Sequence, residues 1–132
     1  MALSKADRLK LKGVHADLVA VLEKAAAVSP VPFRVTEGLR SRARQAELVK
    51  AGFSKTMNSR HLTGHAADIV PLLDVNKDGK INAVDMYDWG AIRKLAPFIK
   101  KAAKSLGVPI EWGGDWQSFP DGPHWQLPRS YK

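Results

Sequence analysis

The residues best suited to chemistry fall in two short stretches. Ser59-Arg60-His61-Leu62-Thr63-Gly64-His65-Ala66-Ala67-Asp68 offers an imidazole and, seven residues after it, a carboxylate. Asp121-Gly122-Pro123-His124-Trp125 offers a second imidazole, with an acid three residues before it. Two nitrogens and one oxygen suffice as the protein ligands of a catalytic zinc, which keeps its fourth position for water. His61, Asp68 and His124 are the candidate ligands, and Asp121 is left to handle a proton.

His61 and His65 form a rival i,i+4 pair, which on a helix would face one side. The zinc-helix proteases that use such a pair need Glu directly after the first His, and Leu62 stands there. Gly64 and the β-leaning Ala67-Asp68-Ile69-Val70 point to a turn leading into a strand instead. His65 is therefore expected beside the site rather than among its ligands.

Ser59-x-His61-x-x-Gly64-x-Ala66-x-Asp68, followed by Asp121-x-x-His124, resembles the signature of zinc D-Ala-D-Ala carboxypeptidases and L-alanyl-D-glutamate endopeptidases. These are hedgehog/lysostaphin-type metallopeptidases. The similarity runs from about Val14 to Gln126 and is closest to small single-domain phage endolysins that cut peptidoglycan stem peptides. It implies an α+β fold, a small mainly antiparallel sheet packed by helices, with the site on the open sheet face.

The 132 residues are enough for one domain with a modest core, expected here as a single zinc peptidase domain over 1–132. No apolar run is long enough to cross a bilayer, and Met1 to Arg8 lacks the apolar stretch of a secretory signal. The absence of cysteine excludes disulfides, thiolate metal sites and cysteine nucleophiles. The net charge of +8 would attract polyanions such as nucleic acid, an anionic membrane or an anionic wall. No helix-turn-helix or aromatic-rich strand accompanies the scattered basic residues, so they read as solvated surface and no nucleic-acid partner is expected.

These side chains need elements to position them. Val14, Leu18, Val21, Leu22, Ala25 and Val28 recur at helical spacing, so a helix is expected over about 14–28, stopped by Pro30 and Pro32. Gly13 separates it from a shorter helical turn around Lys5 to Leu11. Phe33 to Glu37 alternates as a half-buried strand, and a helix follows from Arg42 to Lys50, ending at Gly52. Phe53 to Arg60 reads as a loop, and His65 to Pro71 as a strand. Arg40, ahead of the second helix, is either a surface arginine or a grip for an anion, since guanidinium matches carboxylate as a fork. The resemblance favours the second reading: arginine in this Gly-x-Arg-Ser setting contacts substrate or the developing oxyanion. It also gives Gln45 a supporting place in substrate binding. Ser59 is expected either to bond a ligand or substrate carbonyl or to be a plain turn serine.

Asp74 to Asp85 carries oxygen-bearing residues at loop positions 1, 3, 5, 9 and 12, with Gly79 at 6 and Ile81 at 8. That is the pattern of an EF-hand calcium loop, in which hard oxygens surround a hard cation. Asp74, Asn76, Asp78, Asn82 and Asp85 would supply side chains, and Lys80 its backbone carbonyl. Asp85 stands where Glu is usual, and Pro71-Leu72-Leu73 is no entering helix. Calcium at 74–85 would brace the strand carrying Asp68.

A long helix is expected from about Ala83 to Leu106, buried along Trp89, Ile92, Leu95, Ile99, Ala102 and Leu106, with a kink or break at Pro97. Val108 to Trp112 reads as a strand, Gly113 to Trp116 as a bend, and His124 to Leu127 as the last strand. Trp112 and Trp125 read as core, and Trp116 as a substrate wall.

No serine sits in a Gly-x-Ser-x-Gly setting, which leaves a metal-activated water as the economical chemistry. Asp121 would be general base and then acid, and Arg40 would aid the oxyanion. By resemblance the substrate is the L-alanyl-D-glutamate bond of a stem peptide. A monomer is expected, made in the host cytoplasm and reaching the periplasmic wall after membrane breach. The alternatives are a zinc D-Ala-D-Ala carboxypeptidase, a non-catalytic calcium-dependent wall-binding module, and a basic nucleic-acid binder.

Overall fold

A computed structural model of the chain describes residues 2–54 and 56–131. Its elements are α1 (Lys5–Lys10), α2 (Ala16–Val28), β1 (Phe33–Glu37), α3 (Arg42–Lys50), β2 (Ala66–Pro71), α4 (Ala83–Met86), α5 (Trp89–Leu106), β3 (Glu111–Trp112) and β4 (His124–Gln126). Short 3-10 turns cover Arg60–Thr63 and Gly113–Asp115. The strands form one antiparallel sheet in the order β1-β2-β4-β3. The expected α+β architecture is what the chain adopts.

The period of two in the strands separates a core face from a site face. Val35, Ala67, Ile69 and Trp125 point into the core. There they meet Leu18, Val21, Leu22 and Ala25 of α2, with Ile92, Leu95, Ile99 and Ala102 of α5. The opposite face carries Asp68 and His124, directly paired across β2 and β4, with Ala66 opposite Gln126. A bulge between Val35 and Glu37 resets the β1 register, so that Glu37 rather than Thr36 comes opposite Asp68. Such an extra residue re-aims the side chains after it.

Four expectations need correction. The helix expected over 83–106 is two helices, interrupted at Tyr87 and Asp88, where the Asp88 side chain accepts from Ala91 N and starts α5 afresh. α5 then runs through Pro97 without a break. Pro97 lies on the exposed side, where the carbonyl it leaves unpaired can bond water. Trp89 and Leu106, at the ends of the expected buried stripe, are exposed, and Arg93 stacks on the Trp89 ring. The strand expected from Val108 shortens to Glu111–Trp112, the two positions paired with β4. The expected 53–60 loop is loop up to the turn at Arg60, with Lys55 outside the described residues.

Candidate active site

The Arg60–Thr63 turn places His61. Ser59 caps it, its hydroxyl accepting from His61 N at 3.2 Å. Gly64 ends it at φ 75°, and a Cβ there would run into the Gly13 carbonyl. β2 and β4 place Asp68 and His124 side by side. Asp68 Oδ1 lies 3.2 Å from His61 Nε2 and 3.4 Å from His124 Nδ1. Ligand atoms at tetrahedral corners about 2.0–2.1 Å from a zinc are about 3.3–3.4 Å apart, so both distances to Asp68 match that spacing, and all three donors lie within 4.8 Å of one another.

The remaining ring nitrogens are committed. His61 Nδ1 donates to the Gly38 carbonyl at 2.8 Å, and His124 Nε2 bonds Gln126 Oε1 at 2.8 Å. Each bond holds a proton on the far nitrogen, so that the inward one, which donates to Asp68 while it is protonated, becomes a lone-pair donor once that proton leaves, the usual support for a metal-binding histidine. His61, Asp68 and His124 can therefore hold a metal ion. Burial alone would push Asp68 up, but its hydrogen bonds from His124 and His61 win and hold it well below the usual carboxylate range. Burial pulls His124 down, yet bonding to Asp68 and its charge, then Gln126 and Asp121, raise it above the ordinary histidine value.

Asp121 lines the same cavity, of about 470 Å³, as the three ligand candidates. Its N–H donates to the Gly113 carbonyl at 2.9 Å, and its own carbonyl accepts from His124 N at 3.2 Å. A Cβ at Gly113 would collide with the Asp121 carbonyl, so this docking depends on glycine. Desolvation and then the Asp68 carboxylate push the Asp121 carboxyl above its ordinary range, against the pull of His124, His61 and Arg40. An acid placed so can exchange protons in the cavity.

Arg40 also lines the cavity, with its side chain 8% exposed. Its Nε donates to Glu37 Oε1 at 2.7 Å and its Nη1 to Gln45 Oε1 at 2.7 Å, while Nη2 is 3.7 Å from Asp68 Oδ2. Gln45 is 0% exposed and does not reach the cavity. Its amide nitrogen donates to Ser54 Oγ at 2.8 Å and the Thr56 carbonyl at 2.6 Å. The expectation that it binds substrate is corrected: it holds Arg40 and the 54–56 loop from behind. Ser59 and Trp116 both line the cavity, and the Trp116 ring lies 5.1 Å from that of His124. His65 faces elsewhere, its Nδ1 bonded to Thr63 Oγ1 at 2.7 Å and its ring packed on His15.

In the 74–85 loop, one carboxylate oxygen each of Asp74, Asp78 and Asp85 lies within 4.8 Å of the others. Asp74 Oδ2 accepts from Gly79 N at 2.8 Å, and Asp78 Oδ1 from Lys80 N at 2.9 Å. The side chain of Asn82 caps α4, accepting from Val84 N at 3.1 Å. Asp85 is fully buried and accepts from Val75 N and Asn82 N at 2.9 and 3.0 Å, which ties both ends of the loop together. Asn76 Oδ1 accepts from Asp78 N at 3.4 Å.

Sequence reasoning missed Gln126, Gly38 and Glu37, which orient His124, His61 and Arg40. Gln126 had a signal: two residues beyond His124 on a strand, it shares its face. The Gly38 carbonyl had none, because a backbone acceptor is the same in every residue. Phe53 and Phe119 on the cavity lips, both exposed, were also unmarked.

The sequence matches, over residues 1–126, the profile of the family described as phage L-alanyl-D-glutamate peptidase. It is 45% identical over 95 residues to the L-alanyl-D-glutamate peptidase of Listeria phage A118, covering 70% of this chain but only 29% of that protein. It is 30% identical over 115 residues to the enzyme of that name from Escherichia phage T5, covering 85% of this chain and 79% of the relative. The peptidoglycan L-alanyl-D-glutamate endopeptidase CwlK of Bacillus subtilis (strain 168) is 34% identical over 122 residues, covering 80% of this chain and 66% of CwlK. The fold is similar to the crystal structure of the Serratia marcescens L-Ala D-Glu endopeptidase ChiX, with a TM-score of 0.84 and 42% identity over 97% of this chain and 90% of that one.

Proposed function

The chain belongs to the phage L-alanyl-D-glutamate peptidase family, and from that premise we propose that it is a zinc-dependent peptidoglycan endopeptidase. It hydrolyses the bond between L-alanine and D-glutamate in stem peptides. The observation that carries this reading is the convergence of His61 Nε2 and His124 Nδ1 on Asp68 Oδ1, at 3.2 and 3.4 Å, with both outer nitrogens already bonded. A single domain over 1–132, acting as a monomer on the cell wall, carries the reaction. Among the described residues no helix is long and apolar enough to cross a membrane.

His61, Asp68 and His124 would hold the zinc, which would supply Lewis acidity to the scissile carbonyl and to the attacking water. Asp121 takes a proton from the attacking water as the oxygen bonds to the alanine carbonyl carbon. The C–N bond then breaks, and Asp121 returns that proton to the departing glutamate nitrogen. Arg40 braces Asp68 through Nη2 and adds positive potential to the wall where the oxyanion grows. Trp116 and Ser59 form walls against which the peptide lies.

The 74–85 loop binds calcium through Asp74, Asn76, Asp78, the Lys80 carbonyl, Asn82 and Asp85. The converging carboxylates of Asp74, Asp78 and Asp85 support this reading. The cation would hold the loop that leaves the strand carrying Asp68.

Mass spectrometry of muropeptides incubated with the protein, with and without a zinc chelator, tests the proposal. The expected result is chelator-sensitive release of MurNAc-L-Ala and a peptide beginning with D-Glu. Loss of a terminal D-Ala alone would make it a carboxypeptidase. No product from zinc-loaded protein would overturn the peptidase reading.

A further inference from the structure

The cavity around Asp68 is unevenly charged. Glu37, Asp68 and Asp121 line it, together with the cations Arg40 and Arg129. Arg40 is already committed to Glu37, Gln45 and Asp68. Arg129 is exposed, and among the described residues it enters no ion pair. Its Nη2 donates to the Asn58 carbonyl at 2.6 Å. A guanidinium carries five N–H donors in a fixed fork, so most of its capacity remains for an anion in the cavity.

Its place is tied to the ligand turn from both sides. Arg129 reaches back to Asn58, just ahead of that turn. Arg60, within the turn, donates to the carbonyls of Leu127, Pro128 and Tyr131 at 3.2, 2.8 and 3.1 Å, holding the segment that carries Arg129. Positive potential therefore gathers at this end of a cavity whose other charges are mainly carboxylates.

The next step rests on the endopeptidase reading above. Glutamate has two carboxyl groups, and only one of them continues the peptide. The other stays a free anion unless it is amidated, and it would enter a cavity already holding the Asp68 and Asp121 carboxylates. Apart from the zinc that this reading places at Asp68, Arg129 is, among the described residues that line the cavity, the cation with donors still free. We propose that Arg129 is a specificity-determining residue that grips the free carboxylate of the substrate's D-glutamate as a fork.

The test compares kcat/KM on two muropeptides that differ only in whether that carboxyl is free or amidated. Wild-type protein is expected to prefer the free acid by about tenfold or more, the range of one charge-assisted pairing. In Arg129→Gln the loss on the acid should exceed the loss on the amide by a similar factor, mainly through KM, and Arg129→Lys should recover part of it. Zinc content and thermal melting of each variant establish that it is folded. Equal losses on both substrates, or none, overturn the assignment. Failure of the wild type to cut either substrate overturns the endopeptidase reading itself, and this inference with it.

Discussion

Gln126 Oε1 lies 2.8 Å from Nε2 of His124, and the amide nitrogen of Gln126 donates to Glu111 Oε1 at 3.0 Å. The carboxylate fixes which way the amide faces, and the amide oxygen then fixes the proton on the outer nitrogen of His124. The inner nitrogen donates to Asp68 while it is protonated and offers its lone pair to a metal once that proton is lost.

Gln126→Leu keeps similar volume but cannot accept that proton. Zinc affinity should fall about 10–100-fold, the usual loss when such a partner of a metal histidine is removed. Competition against a chelator measures it. Unchanged affinity would show that the contact does not orient His124.

Asp121→Asn should keep its zinc, because the three ligand atoms come from other residues, yet lose turnover by about 10²–10⁴-fold, the worth of a general acid–base. Stoichiometry by atomic emission and kcat on muropeptides separate the two effects. Activity within twofold of wild type would remove Asp121 from proton transfer. His61→Ala and His124→Ala should lose metal and turnover together.

In metal-stripped protein the His124–Asp68 pair makes stability depend on pH. Asp68 is depressed, so its contribution is fully present above its unfolded value of about 3.9 and is lost as pH falls through the folded one. His124 is raised, so its contribution is fully present below about 6.5 and is lost as pH rises through the folded value. The melting-temperature advantage of wild type over His124→Gln, in chelator, should peak between about pH 4 and 6.5 and shrink on the alkaline side. An advantage that grows with pH would contradict this.

Gln45→Leu strands buried partners, since Arg40 loses an acceptor and the Thr56 carbonyl a donor. A loss of about 1–3 kcal/mol in denaturant unfolding is expected. A neutral change would mean that water replaces the amide.

Calcium should raise the melting temperature of the wild type but not of Asp78→Ala. Asp78 is the informative choice because it is exposed, whereas Asp85 also caps α4 and closes the loop. Equal calcium shifts in both proteins would place any bound cation elsewhere.

Much of the site was legible in the sequence. His61, Asp68 and His124 were marked by residue type and spacing, and Asp121 by its distance from His124, because a turn closed by glycine and two alternating strands are local patterns. The same locality gave α2, β1 and α3 nearly to the residue. It failed at Asp88, where a side-chain cap restarts a helix that hydrophobic spacing alone would continue. It failed again at Gln45, to which the resemblance gave a supporting place in substrate binding although the side chain is enclosed.

Residue identity and short-range period thus determined which groups can bind a metal and which segments carry them. Tertiary structure alone decided that Asp68 pairs with His124 across two strands far apart in sequence, that a bulge turns Glu37 toward Arg40, and that the Gly38 carbonyl meets His61. Strand register and backbone acceptors leave no local trace, because they depend on which distant atoms meet once the core has closed.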